Sequence, residues 1–93
     1  MSKVTLTGHI IVPESDLSAV KSELDTHIEL TRQENGCLIF EVTQDPESTQ
    51  KFHVYEEFTD KESFTNHQER AGKSKWAAVT KNVERHYSVT GMD

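Results

Sequence analysis

The sequence predicts a single α+β domain: a four-stranded antiparallel sheet with helices on one face, in the order β-α-β-β-α-β. Three observations carry this. Four segments alternate apolar and other residues at period two. Two longer stretches between them repeat apolar residues at three and four. Turn-forming residues, Pro13, Gly36 and Asp45-Pro46, stand at the joints. Strand, helix, hairpin, helix, strand is the split β-α-β arrangement of ferredoxin-like domains.

The first strand runs from Val4 to Val12, with Val4, Leu6, Gly8, Ile10 and Val12 on one parity and Thr5, Thr7, His9 and Ile11 on the other. Pro13 ends it, because proline lacks the ladder N–H. A helix follows from about Glu14 to Gln33. Leu17, Val20, Leu24, Ile28 and Thr31 form its stripe, Ser15 or Glu14 begins it, and Asp16 complements the dipole of its first turn. Gly36 closes it, since a helix stop needs a left-handed residue. Cys37 to Gln44 places Leu38, Phe40 and Val42 against Cys37, Ile39, Glu41 and Thr43. After the Asp45-Pro46 turn, Lys51 to Phe58 places Phe52, Val54, Glu56 and Phe58 against His53, Tyr55 and Glu57, so these two strands form a hairpin. Thr59 and Glu62 have the spacing of a capping box. Phe64, His67, Gln68 and Ala71 share a helical face, Gly72 interrupts it, and Trp76, Val79, Thr80 and Val83 make a short second amphipathic stretch. Glu84 to Thr90 is the last strand, Tyr87 and Val89 alternating with His86 and Ser88.

Composition narrows the functional classes. Ninety-three residues make one domain, expected over 1–93, and 33% apolar against 28% charged is lean for a lone globule. The sheet face away from the helices carries Thr5, Thr7, Ile11, Ile39 and Tyr55, a surface that a second copy of the chain covers in a homodimer. His9, His53 and His86 fall on that face or in solvent. The charge of −6 offers no basic stripe for nucleic acid. No apolar run is long enough to span a membrane, and the pattern before the first strand leads to the expectation of no signal peptide. Cys37 is the only cysteine, so no internal disulfide forms, and a cytoplasmic location is expected. No histidine pair has the i, i+4 spacing of a helical zinc clamp, and no glycine-rich phosphate loop occurs. The expectation is no metal and no cofactor, which fits a cofactor-independent enzyme and a non-enzyme alike.

Two stretches carry a family resemblance: Thr31-Arg32-Gln33-Glu34-Asn35-Gly36-Cys37-Leu38-Ile39-Phe40-Glu41-Val42 at the helix-to-strand joint, and Tyr55-Glu56-Glu57-Phe58-Thr59-Asp60 with Ser63-Phe64 and His67 at the strand-to-helix joint. With the element order, residues 4 to 90 resemble the antibiotic biosynthesis monooxygenase family of the dimeric α/β-barrel superfamily. The resemblance implies a dimeric barrel and His67 as the matching histidine. The superfamily hosts several chemistries: cofactor-free oxidation of quinol-like polyphenols, haem breakdown, and isomerisation of small sugar-like signals. Phe58 stands where many relatives carry tryptophan, and Gly8 where the haem-degrading branch carries asparagine. Both departures point away from haem chemistry. Lys73-Ser74 lacks a second histidine found in some members.

Three residues are candidates for proton transfer. Glu56 shares parity with apolar neighbours, so burial raises its pKa and suits it to acid–base work, unless it is a structural carboxylate paired with a neighbour. His67, one turn after Phe64, titrates near neutrality and either accepts a phenolic proton or is a satisfied core histidine. His27 borders the apolar stripe of the first helix, as a pocket residue or a rim residue. Phe40, Phe58, Phe64 and Trp76 either line an aromatic pocket or form the core. The favoured function is a cofactor-independent monooxygenase of a small quinol-like or polyphenolic aromatic. The alternatives are isomerisation or tautomerisation of a small oxygenated metabolite, and a small-molecule-binding dimer without turnover.

Overall fold

The computed structural model describes residues 3–92, so Met1, Ser2 and Asp93 of the expected 1–93 domain lie outside the described residues. The elements are β1 (Val4–Ile11), α1 (Leu17–Arg32), β2 (Cys37–Gln44), β3 (Lys51–Phe58), α2 (Lys61–Gly72), α3 (Lys75–Val79) and β4 (Glu84–Thr90). The sheet is antiparallel in the order β2-β3-β1-β4, the α+β ferredoxin-like arrangement, with β2 and β4 at its edges.

Alternation sets which side chains face the helices. In β1 and β3, Val4, Leu6, Ile10, Phe52, Val54, Glu56 and Phe58 are buried on one parity. Phe40 and Val42 of β2, Val12, Val20, Phe64 and Val83 complete the core. Phe52 and Phe58 are the largest fully enclosed side chains, each worth about 2 kcal/mol of burial. The other parity faces away from every helix. There Tyr55 donates its hydroxyl to the Glu57 carboxylate and Lys3 reaches the same group at 3.1 Å.

Three local expectations are corrected. The first helix is not continuous from Glu14: residues Glu14–Asp16 form a 3-10 turn, Asp16 N donating to Pro13 O at 2.9 Å, and α1 begins at Leu17 without a side-chain cap. The α2 cap is Asp60 rather than Thr59. Its Oδ1 accepts from Ser63 N at 2.8 Å, and its carbonyl takes the first intrahelical bond, from Phe64 N at 3.2 Å. The Thr59 N–H is committed to Gly36 O at 2.8 Å and so has no place in a reciprocal box with Glu62. A bulge at Leu38 breaks the β2 alternation. Cys37 pairs with Phe58 and packs on the core, Ile39 pairs with Glu57, and Leu38 between them is thrown outward.

Gly36 sits at φ +86°, and a Cβ there would run into Ser63 and Thr59, so the turn after α1 fits only glycine. The turn thereby lies against the start of α2, which brings Glu34 beside that helix.

Candidate active site

One sheet–helix hollow gathers the titratable side chains. Its volume is about 280 Å³, and its walls come from every layer: Leu6 and Glu56 from β1 and β3, Arg85 and Tyr87 from β4, His27 from α1, His67 and Gln68 from α2, and Trp76 from α3. A shallow hollow of about 260 Å³ beside Arg32 and Cys37, and a groove of about 440 Å³ beside Glu14 and Lys21, bring together no comparable set.

Glu56 reaches the hollow because β3 alternation turns it inward among Val54 and Phe58, where it is 5% exposed. Its Oε1 has no hydrogen-bond partner. Burial first, and the negative charge of Glu34 second, push its carboxyl up to about 7. His67 is placed one turn after Phe64 on the inward face of α2 and is 3% exposed. Its Nε2 stands 3.9 Å from Glu56 Oε1, too far for a direct hydrogen bond. Its Nδ1 lies 3.1 and 3.2 Å from the two carboxylate oxygens of Glu34. Burial lowers the His67 pKa, and Glu34 opposes that shift.

His27 is deeper than its place at the edge of the helical stripe suggests. It is buried, its ring stacks on Trp76 at 4.6 Å and 6°, and Phe40 meets it edge-on at 5.4 Å. Burial, then the charges of His67 and Arg70, lower it to about 3, so it is neutral throughout the physiological range. Its Nδ1 also lacks a partner. The His27–Trp76 stack divides the hollow from a second one of about 290 Å³ on the outside of α1 and α3.

Of the four aromatics expected to line the pocket, Trp76 does. Phe40, Phe58 and Phe64 stand behind the wall as core. Phe40 and Phe58 hold the His67 ring at 5.5 and 5.1 Å, and Phe64 packs edge-on to Phe58 at 5.7 Å. They point inward because the core closes around them, and none of the three lines the hollow.

Several neighbours of the site were not anticipated from the sequence. Glu34 and Arg70 form an ion pair directly behind His67. Arg70 also donates to Thr31 Oγ1 at 2.9 Å, and Thr31 to the His27 carbonyl at 2.7 Å. Arg70 lies three residues after His67, a spacing that puts both on one side of α2 and was the available signal. Arg85 and Tyr87 enter through β4, where register sets Tyr87 beside Gly8. A Cβ at Gly8 would collide with the His86 carbonyl, so the present backbone has no room for the asparagine of the haem-degrading branch. Among the described residues no group of three His, Cys, Asp or Glu side chains is arranged to hold a metal ion, and no helix is long and apolar enough to cross a membrane.

Solved structures share this architecture. A Nitrosomonas europaea protein provisionally named an antibiotic biosynthesis monooxygenase superimposes with a TM-score of 0.80 at 21% identity, covering 96% of this chain and 88% of that one. A Deinococcus radiodurans protein with the same provisional name gives 0.79 at 21% identity, covering 92% and 88%. MupZ from Pseudomonas fluorescens gives 0.78 at 21% identity, covering 96% and 71%. At these identities the likeness is one of fold. No curated protein matches the chain in sequence. The family model for antibiotic biosynthesis monooxygenases matches residues 4–79, a span that holds the whole of β1 through α3, and the chain belongs to that family.

Proposed function

We propose that this protein is a cofactor-independent monooxygenase that oxidises a small quinol-like or polyphenolic aromatic with dioxygen, working as a homodimer. The reading rests on one observation: a buried, unpartnered Glu56 Oε1 that faces His67 Nε2 across 3.9 Å. One phenolic oxygen placed about 2.8 Å from each atom bridges that gap. It donates its proton to His67 Nε2 and accepts a hydrogen bond from the Glu56 carboxyl, whose pKa of about 7 keeps it protonated on the acid side of neutrality. The hollow of about 280 Å³ lies just below the range of typical ligand pockets, which begins near about 300 Å³, and so suits a small, one- or two-ring substrate.

The chemistry then balances with dioxygen as the only oxidant. The phenolate ring gives electrons to dioxygen at a ring carbon that bears hydrogen, and a C–O bond forms. Protonation of the distal oxygen yields a hydroperoxide. Breaking its O–O bond with loss of the ring hydrogen releases water and leaves a carbonyl. One phenol and one dioxygen give one quinone and one water. A desolvated wall of Leu6 and Trp76 confines the anion while it reacts.

The test is oxygen uptake with a panel of hydroquinones and naphthols, together with labelled dioxygen. One dioxygen consumed per quinone, with one labelled atom retained, is the expected result. His67→Ala should lower kcat by about a hundredfold, and Glu56→Leu, which removes the hydrogen-bond donor that Glu56→Gln would keep, should lower it as well. Product formed without oxygen would replace this reading with isomerisation or tautomerisation, and binding without turnover would make the protein a small-molecule-binding dimer.

A further inference from the structure

We propose that Glu34 is the positioning residue of this site: braced by Arg70, it holds the proton of His67 on Nδ1 and so turns the lone pair of Nε2 toward Glu56 and the hollow. This rests on the reading that the hollow is where proton transfer occurs.

The argument begins with what each group can donate. A carboxylate only accepts hydrogen bonds, so two Glu34 oxygens at 3.1 and 3.2 Å from Nδ1 require a hydrogen on that nitrogen. In a neutral imidazole the other nitrogen is then bare. That nitrogen is Nε2, the one 3.9 Å from Glu56. The Arg70 guanidinium donates through Nε to Glu34 Oε2 and through a second nitrogen to Thr31 at 2.9 Å, which fixes the carboxylate between α1 and α2. Glu34 is itself fixed in the turn after α1, its N–H on Thr31 O at 3.0 Å and its carbonyl taking the Cys37 N–H at 3.2 Å. A helix-stop turn has no need of an acidic side chain directed at the neighbouring helix, and this one is held there by two partners.

The groups that face the His67 ring are Glu34 from the turn, Glu56 from β3, His27 from α1 and Arg70 from its own helix, with Phe40 and Phe58 against the ring. Glu34 is the carboxylate in hydrogen-bond contact with it. When a substrate proton reaches Nε2, the imidazolium that forms lies against this carboxylate.

Nitrogen-15 NMR of the histidines in the whole, substrate-free protein tests this, because the two ring tautomers give different shift patterns. Wild type should show His67 protonated on Nδ1. In Glu34→Gln the amide oxygen goes to Arg70 and the NH₂ is left facing Nδ1, so the proton should move to Nε2. Loss of the negative charge should also lower the His67 titration midpoint by about one pH unit. A dispersed amide spectrum checks that the variant is folded. If it is not, the wild-type tautomer alone decides. A wild-type His67 protonated on Nε2, or a Glu34→Gln protein that keeps the Nδ1–H form, would overturn the proposal. Because no substrate is involved, a missing oxygenase activity leaves this result standing and bears only on the proposed function. With a substrate in hand, Glu34→Gln should reduce kcat on the order of a hundredfold with KM little changed, a split that loss of packing would not produce.

Discussion

Glu56 and His27 are both buried in their neutral forms, and their effects on stability run in opposite directions. Glu56 has a native pKa of about 7 against about 4.3 when unfolded. Between those values the unfolded chain releases a proton that the native protein keeps, so this group's contribution falls as pH rises through that window. His27, lowered to about 3, refuses a proton that the unfolded chain binds below about 6.5, so its contribution falls as pH drops. Glu56→Gln removes only the first of these. Relative to wild type, the variant should gain about 3 kcal/mol as pH rises from about 4.5 to 7, measurable as a growing difference in urea midpoint. A pH-independent difference would show that Glu56 ionises freely. Alternation alone made this carboxylate legible, because a strand turns every second residue inward. His67 was legible from helical phase and motif. His27 was half legible: phase put it at the edge of the stripe, but its burial depends on Trp76, which lies forty-nine positions away and arrives only when α3 packs. Glu34 was visible only as part of a turn, since its partners lie 33 and 36 residues away.

At the scale of elements, period and punctuation located every strand and helix, while the terminal residues were decided by contacts that local pattern does not encode. The cap of α2 is one such case. Thr59 and Asp60 are both of capping type, and Asp60 is the cap because the first helical bond, from Phe64 N, ends on its carbonyl, while the Thr59 N–H that a box with Glu62 would use goes to Gly36 O. Asp60→Ala should therefore cost about 1 kcal/mol in chemical denaturation, and Thr59→Ala distinctly less. The bulge at Leu38 is the second case. Alternation assigned Leu38 inward, yet an inserted residue flips the parity before it and lets Cys37 pack on the core instead. The third is the β1–β4 pair. Gly8 lies on the inward parity, where a side chain would ordinarily be favoured, but the His86 carbonyl occupies that space. Gly8→Ala should push β4 away and destabilise by about 2–3 kcal/mol. It should also displace Tyr87 and Arg85 from the hollow, which amide exchange along β4 would register as lost protection.

At the scale of the whole molecule, three helices cover one face of the sheet, and among the described residues nothing covers the other. That outer face carries Ile11, Tyr55 and the exposed Ile39 among threonines, and across its middle His53, His9 and His86 stand in direct register on three adjacent strands. The His9 and His86 rings stack at 4.7 Å. The proposed homodimer closes a second sheet over this surface, with Ile11 inside the contact. A lysine there would place an unpaired charge in a desolvated interface, so Ile11→Lys should weaken association by on the order of 3 kcal/mol while leaving the subunit folded. The histidine row adds a dependence on pH. Desolvation, and then the charges of Lys51, His86 and His53, already lower the His9 pKa, with Glu84 opposing. Covering the row removes more water from the His9 imidazole, which favours its neutral form further. Association therefore prefers neutral His9, and its protonation as pH falls prefers separate subunits. Sedimentation equilibrium at micromolar concentration should report about twice the 10.6 kDa chain mass near pH 7.5 and a shift toward the single chain near pH 5. His9→Gln should flatten that shift without abolishing the dimer, since it removes the titrating group at the centre of the row and keeps its size and polarity. A single-chain mass at both pH values would refute the assembly, and a dimer indifferent to pH would place the contact on another face.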